Sequence, residues 1–234
     1  MGNQISLEKA STSSQLKSAV DSLPRDEKHF TTQVRDLLIA KKHLIVDVGT
    51  AVSVVKFLFS FSRDVDRRLL LPLLRTNEVH DLIINNIAPY VTAIFEFGRL
   101  IFNIVQNKRA SDLFCGFESL SAILKCFHRS TTSEDAKWIA SSINNILLYN
   151  PSSNKLLNSL PVVEAFSFII PLANDEDAVE RISTVLQAIL RNNEEAQQKF
   201  GTPELFNIFQ GMENHSTVQS NTQFQTVREL LMKK

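Results

Sequence analysis

Four residues of the types that start helices recur along this chain at intervals of 43 residues: Asp64, Asn107, Asn150 and Asn193. Asn and Asp are favoured N-caps because their short side-chain oxygens accept an otherwise unpaired N–H of the first helical turn. Three columns of apolar residues keep the same register. They are Phe57, Leu100, Ile143 and Leu186; Phe61, Ile104, Leu147 and Leu190; and Leu71, Phe114, Leu157 and Phe200. The register predicts one structural unit of about 43 residues, repeated about four times.

Each unit has the same internal order. A long helix ends before the cap, a short helix follows it, and a second helix leads to a polar loop. Within those loops, Ser133 and Asn174 are the predicted caps of the next long helices. The chain has only six glycines and seven prolines in 234 residues, too few turn signals for a strand-rich fold. The pattern therefore predicts an all-α protein.

A period of roughly 40–47 residues with two or three helices per unit is typical of armadillo and HEAT repeats. The run Ile143-Asn144-Asn145-Ile146 resembles the third-helix pattern of armadillo repeats, and the run 189–195 resembles their helix end and following cap. The resemblance covers about residues 50–210. It implies an armadillo/HEAT-like, right-handed superhelical solenoid whose concave surface binds proteins.

Peptide-binding armadillo proteins present an Asn from successive third helices, and Asn145 matches that position. In the other units this position is occupied by Phe59, Phe102 and Ala188. The resemblance therefore carries over Asn145 as a groove residue but not a continuous ladder of asparagines. This departure argues against importin-like binding of an extended peptide.

The repeat register also sets the expected boundaries. They are a flexible tether at 1–22, an N-terminal capping unit at 23–49, repeats at 50–90, 91–135, 136–176 and 177–221, and a C-terminal helix at 222–234. Within the capping unit, a first helical segment is expected from about Pro24 to Asp47. Capping units are needed because the ends of a solenoid must present a polar outer face.

The chain opens Met1-Gly2-Asn3-Gln4-Ile5-Ser6, which fits the N-myristoylation pattern with Gly2 as acceptor and Ser6 at the preferred hydroxyl position. One myristoyl chain gives only marginal, reversible membrane binding. Residues 1–30 are not polybasic and contain no cysteine, so a second signal would come from a basic face of the folded domain or from a protein partner. We expect a cytoplasmic protein, peripheral on the cytosolic face of a membrane.

The net charge and the motifs of the sequence limit the functions that we expect of this chain. The formal net charge is zero, which argues against non-specific nucleic-acid binding. Basic clusters such as Lys41-Lys42-His43 are more typical of solvated helix faces than of a phosphate or lipid-headgroup site. The histidines lack ligand-spaced neighbours, and the sequence has neither a phosphate loop nor a nucleophile elbow. These features predict no metal, no cofactor and no enzymatic activity.

The predicted binding residues lie on the long helices. Asn103, Asn145 and Arg191 are the candidate partner contacts, since the concave face of stacked helices is the usual binding surface of a solenoid. Trp138, also on a long helix, is expected in the core or the groove. The sequence thus predicts a membrane-tethered adaptor or scaffold that recruits a protein partner. Two alternatives remain: a small-GTPase-binding regulatory module and a myristoylated matrix-type structural protein.

Overall fold

A computed structural model of the chain describes residues 6–25, 31–62, 71–91, 95–191, 193–212 and 221–232. Every regular element in these segments is helical. The α-helices are α1 (Ser13–Ser22), α2 (Thr32–Ala40), α3 (Val48–Ser60), α4 (Leu71–Leu74), α5 (Asn77–Asp81), α6 (Phe95–Ile104), α7 (Lys108–Phe114), α8 (Phe117–Phe127), α9 (Ser133–Tyr149), α10 (Asn154–Leu157), α11 (Val162–Ile169), α12 (Glu176–Leu190), α13 (Glu194–Phe200), α14 (Pro203–Met212) and α15 (Thr222–Met232). The 3₁₀ turns are Leu7–Lys9, Lys42–Leu44, Pro151–Ser153 and Ile170–Leu172, and a π-helical turn, Leu82–Ile87, extends α5.

Two of the four predicted caps cap through their side chains. The side-chain oxygen of Asn107 accepts the N–H of Ala110 at 3.0 Å, and that of Asn193 accepts the N–H of Ala196 at 3.1 Å. Asn150 precedes the turn Pro151–Ser153 but makes no side-chain cap; its amide donates to the Ser111 hydroxyl at 3.0 Å. Asp64 lies outside the described residues.

The two caps predicted in the loops are each wrong by one residue. Thr132, not Ser133, caps α9, since its hydroxyl accepts the N–H of Asp135 at 3.1 Å. Asp175, not Asn174, caps α12 by accepting the N–H of Ala178 at 2.9 Å. Both loops contain consecutive residues able to cap, so residue type alone leaves the helix start uncertain by one residue.

The long helices α3, α6, α9 and α12 pack side by side, each against the one before it, and form one layer. We call it the inner layer, because the long helices of a repeat solenoid line its concave face. The residues at the repeat positions face its core. All members of the first two columns, and the described members of the third, are at most 5% exposed. Leu71 belongs to the third column, and its side chain is not described. Burial of these columns stabilises each unit against its neighbour.

Hydrogen bonds between neighbouring units follow nearly the same interval. The Tyr149 hydroxyl donates to the carbonyl of Gln106 at 3.1 Å, 43 residues away. His80 Nε2 lies 2.8 Å from the Ser119 hydroxyl, 39 residues away. Neighbouring units are therefore joined by polar contacts as well as by the core.

Both ends of the inner layer are covered by a helix. At the amino end, α1 packs on α3 and buries Leu16, Ala19 and Val20. The flexible tether predicted for 1–22 is therefore wrong for the described residues 6–22, because this segment has an apolar face that the stack buries. Within the helical segment predicted from about Pro24 to Asp47, the described part contains α2 and the 3₁₀ turn Lys42–Leu44.

At the carboxyl end, α15 packs on α12 and occupies the place of a fifth long helix. Phe224, Val227 and Leu231 are the residues that it buries. Between the two ends, units of a long, a short and a second helix follow one another at the predicted interval. The predicted fold class, an all-α armadillo-like solenoid, is confirmed.

Among the described helices, none is long and apolar enough to cross a membrane alone. One bent pair, Pro151–Leu157 with Val162–Leu172 at 94°, has the length and composition of a broken span. Leu157, Phe166 and Ile169 of this pair are buried in the solenoid core.

Candidate functional site

A close approach between α6 and α9 positions the central side chain of the inner surface. A Cβ added at Gly98 would lie 3.0 Å from Cγ1 of Ile139 and 3.2 Å from Cβ of Trp138. The Ser142 hydroxyl spans the same contact and lies 3.1 Å from the Gly98 carbonyl and 2.8 Å from the Trp138 carbonyl. These distances are tighter than ordinary van der Waals contact, so glycine lets the two helices come this near without displacing Ile139 or Trp138. Trp138 is consequently held against α6.

Trp138 lies between cations from the helices on either side. The guanidinium carbons of Arg99, on α6, and Arg181, on α12, are each 4.8 Å from the Trp138 ring centroid. The Phe102 ring lies 5.0 Å from the Trp138 ring at a tilted angle of 56°. Arg99 also lies over Phe59, 5.9 Å from its centroid. We call Phe59, Arg99, Phe102, Trp138 and Arg181 the tryptophan ladder.

The ladder arranges aromatic and cationic groups at separations favourable for ring–ring and cation–π attraction. Each cation–π contact at a partly exposed site contributes on the order of 0.5–1 kcal/mol. Trp138 remains half-buried, so part of its indole faces the inner surface. Its ring N–H donates to the Glu134 carboxylate at 2.9 Å, which fixes the orientation of the ring.

Ion pairs on the inner surface hold the ladder in place. Asp177 accepts from Nε of Arg181 at 2.6 Å and lies 3.0 Å from Nζ of Lys137. Burial opposes ionisation of Asp177, but the bonds from Arg181 and Lys137 outweigh it and lower the pKa of this carboxyl group. Burial likewise disfavours the charged Lys137, yet its bonds to Glu134 and Asp177 raise the pKa of its ammonium group. These ion pairs thus keep the Lys137 and Asp177 side chains beside Trp138 in their charged forms.

The three residues predicted from the sequence are not brought together in one site. Asn103 donates to the Ser62 hydroxyl at 3.1 Å and joins two units. Asn145 is half-exposed on α9, on the same helix face as Trp138 because the two are seven residues apart. Arg191 follows α12 and lines a depression of about 1000 Å³ together with Leu148 and Ala188. Asn145 therefore shares a helix face with Trp138, Arg191 lines the depression that follows α12, and Asn103 takes part in packing between units.

A second polar cluster lines the same depression, where one unit meets the next. We call Asn154, Asn158 and Asn193 the asparagine clasp. The Asn154 amide donates to the carbonyls of Ala188 and Ile189 at 3.2 and 3.1 Å. The Asn193 amide donates to the side-chain oxygens of Asn154 and Asn158 at 3.3 and 3.0 Å. These amides satisfy one another, so the clasp is a structural joint between units.

Sequence reasoning does not single out Arg181, yet the signal was present. Arg181 lies 43 residues after Trp138, so the two occupy the same position on neighbouring long helices. The repeat register places such residues side by side, and a tryptophan followed by an arginine one period later indicates a stacked pair.

The rest of the described molecule offers little reactive chemistry. Cys115 and Cys126 are both free thiols, and burial raises the pKa of Cys126 to about 12, so it stays protonated at neutral pH. Within the described segments, no group of three or more His, Cys, Asp or Glu side chains is arranged to hold a metal ion. The tryptophan ladder is the most developed polar and aromatic feature on the inner surface.

The sequence matches no protein-family model and no curated protein sequence. A crystal structure of an engineered protein from the Northeast Structural Genomics Consortium is similar over 100% of both chains, with a TM-score of 0.64 and 14% sequence identity. A designed armadillo repeat protein covers 96% of this chain and 97% of its own, with a TM-score of 0.47 and 16% identity. The first likeness concerns the fold alone and shows that a largely different sequence adopts it over the whole length.

Proposed function

We propose that this protein is a non-enzymatic adaptor that recruits a protein partner on its inner surface, with Trp138 as the central contact. The observation that carries the proposal is the half-buried Trp138 ring held between Arg99 and Arg181. Tryptophan and arginine are the residues most enriched at energetic centres of protein interfaces. A ring that is already fixed loses little side-chain entropy when a partner binds.

Asn145, Leu148 and Arg191 extend this surface along α9 and α12. Leu148 is 67% exposed, an unusual degree for a leucine on a packed helix, and it stands beside the depression that Arg191 lines. An exposed leucine on the same helix as a fixed aromatic group, ten residues further along, adds apolar area to a contact surface with a polar rim. The proposed contact surface therefore runs from Trp138 to Arg191.

The adaptor is proposed to act at the cytosolic face of a membrane, where N-myristoylated Gly2 would hold it. Support comes from the pattern Gly2 to Ser6 at the start of the sequence. Ser6 is exposed and directly precedes the packed turn Leu7–Lys9. Four residue steps separate Gly2 from Ser6, a reach of at most about 14 Å. An acyl group on Gly2 would thus hold the amino end of the solenoid close to the bilayer.

Two substitutions test partner binding. Trp138→Ala removes the central contact, and Phe168→Ala removes a ring that is 50% exposed on a second helix, α11, as the matched control. Once a partner is identified by proximity labelling, titration with the purified partner should show about 2 kcal/mol or more of lost affinity for Trp138→Ala. Phe168→Ala should bind as wild type does. Equal affinity of all three proteins would remove Trp138 from the interface.

The lipid anchor is tested separately with Gly2→Ala in cells. Intact mass should show an added myristoyl group on the wild type alone, and fractionation should show membrane association lost in the variant. An unmodified wild type in the soluble fraction would overturn the anchor and leave the inner-surface proposal standing.

A further inference from the structure

An open groove separates the second helices of the first two units. It lies between the π-helical turn Leu82–Ile87 and α8, and its volume is about 660 Å³. Ala88 and Pro89, which follow the turn, form one wall, and a face of α8 that includes Phe117 and Lys125 forms the other. Its described lining residues include none from the long helices, so the groove is separate from the surface around Trp138.

Apolar surface is exposed along the groove. Phe117, the first residue of α8, is 48% exposed, and Pro89 in the opposite wall is exposed as well. Ala122, further along α8, lines the groove and is half-buried. Apolar side chains that line one groove and have a polar rim are typical of a site for a partner's apolar side chains.

Two cations stand at the carboxyl end of α8. Lys125 belongs to its last turn and Arg129 follows the helix, and both are exposed and line the groove. Nη1 of Arg129 donates to the carbonyls of Ala88 and Val91 at 3.4 and 2.8 Å, which anchors the guanidinium across the groove. These bonds use one of its three nitrogens, so a carboxylate can accept from the others.

The charges of the groove are unevenly distributed. Glu118, the one acidic residue in the described lining, lies seven residues before Lys125, about 10 Å away along the helix. The ion pairs of the described residues involve neither Lys125 nor Arg129. A ligand that brings carboxylates to the carboxyl end of α8 would therefore find two cations there without displacing an acidic side chain of the described chain.

The wall opposite α8 has an uncommon backbone. The N–H of Ala88 donates to the carbonyl of Ile83 at 2.8 Å, an i→i+5 bond that closes the π-helical turn. Such turns are rare, and they occur frequently at functional sites. The π-helical turn is independent of the exposed ring and the cations, and it marks the same groove.

A groove between α11 and α14 provides a comparison. It also contains an exposed ring, since Phe168 is 50% exposed. Its lysine, Lys199, already pairs with Glu195 at 3.1 Å. Exposed apolar surface is thus common to both grooves, whereas cations without an acidic partner distinguish the groove beside α8.

We propose that the groove beside α8 binds an acidic amphipathic helix of a partner protein, with apolar side chains on Phe117 and carboxylates at Lys125 and Arg129. A groove between two neighbouring helices suits a third helix whose apolar stripe lies along it. Helix α8 has 11 residues and is about 16 Å long, which corresponds to about three turns of a bound helix. This partner is additional to the one proposed at Trp138.

The test selects ligands for the full-length protein from a phage-displayed library of random peptides of about 16 residues, long enough for about four helical turns. The selected peptides are synthesised and titrated by fluorescence anisotropy. We expect a class enriched in Asp and Glu whose affinity falls roughly tenfold or more both in Phe117→Ala and in Lys125→Glu. Its binding should also weaken as salt is added, because the charges are exposed.

Three variants serve as controls. Phe168→Ala and Lys108→Glu make the same changes at exposed residues outside the groove. Trp138→Ala alters the surface proposed for the other partner. All three should bind the acidic peptides as wild type does, so failure of one binding surface is distinguished from failure of the other. Circular dichroism should show the wild-type spectrum for Phe117→Ala and Lys125→Glu, because both side chains are exposed.

Several results would overturn the proposal. One is a selection that enriches no acidic class, and another is an acidic class that keeps its affinity in either groove variant. If wild type sediments as a dimer and Phe117→Ala as a monomer, the occupant is a second copy of this chain. If phosphatidylserine vesicles displace the peptides from wild type, and Lys125→Glu does not bind the vesicles, the occupant is an anionic membrane.

Discussion

The tryptophan ladder and the asparagine clasp are both polar clusters that link neighbouring units. They differ in how much side-chain surface and hydrogen-bonding capacity remains for a partner. In the clasp, the Asn193 amide donates to two asparagines while its oxygen accepts from Asn158 and Ala196. All four hydrogen-bonding positions are used. In the ladder, Arg99, Arg181 and Phe102 contact the Trp138 ring, yet the residue is only half-buried and keeps part of its surface exposed.

The difference shows that residue type alone does not separate a joint from a binding surface. Asparagines on a helical repeat are readily interpreted as binding residues. In this chain, three of them form the clasp instead. What distinguishes a candidate contact is remaining capacity: an unpaired edge, face or lone pair that a partner can use. Three substitutions can break or sharpen the contrast between the two clusters.

The largest effect is expected at Gly98, on which the ladder depends. Gly98→Leu forces α6 away from α9, because even a Cβ would lie 3.0 Å from Ile139. Overpacking of this kind costs about 1–3 kcal/mol, measurable by urea unfolding. The chain has one tryptophan, so a shift of its emission maximum would report displacement of the ring. Gly116→Ala, where a Cβ meets nothing within 4 Å, is the control and should leave the emission unchanged.

A smaller loss is expected when the clasp is opened. Asn193→Ala removes the cap of α13 and the amide bonds to Asn154 and Asn158, at a cost of about 2 kcal/mol in the free energy of unfolding. Asn145→Ala, on the exposed face of α9, should change stability by no more than about 0.5 kcal/mol. If both variants unfold at the same urea concentration, the clasp does not join the units.

The smallest effect is expected from a change of pH, which should alter the stability that the ladder's ion pairs contribute but not the stability that the clasp contributes. The pKa of Asp177 is lowered in the folded protein, so its contribution to stability is present above its usual pKa of 3.8 and is lost as pH falls through the folded value. Asp177→Asn should therefore be less stable than wild type near neutrality, and the gap should close in acid. Asn193→Ala should be less stable than wild type by the same amount near neutrality and in acid. The bonds that it loses, to Asn154, Asn158 and Ala196, involve no titrating group.

Much of the fold was predictable because the same apolar positions, which must be buried, recur in every unit of the sequence. The apolar columns that contain Leu100 and Ile104 repeat at helical positions that must face the core. A pattern that recurs in four units stays visible even if one unit departs from it. Cap positions were less predictable. Thr132 and Asp175 each stand beside another residue able to cap, so residue type leaves the boundary uncertain by one position.

Helix α1 was missed because the serines and threonines around it suggested a spacer. Its apolar residues Leu16, Ala19, Val20 and Leu23 follow the i, i+3, i+4, i+7 spacing of an amphipathic helix, so the periodic signal was present. The surface of the candidate site was harder to foresee. Trp138 and Arg181 share a repeat position, but the close approach at Gly98 that places the ring depends on the three-dimensional packing of α6 and α9.

The placement of α15 has a consequence for symmetry. A stack of similar units is an open arrangement, in which the last apolar face can accept another copy of the first and growth has no natural end. Phe224 of α15 packs 4.9 Å from Phe209, ring to ring, and lies against Ile182 and Leu186 of α12. Helix α15 thus covers the apolar face of α12 that another unit would otherwise cover, which is the part that a capping unit plays in a solenoid.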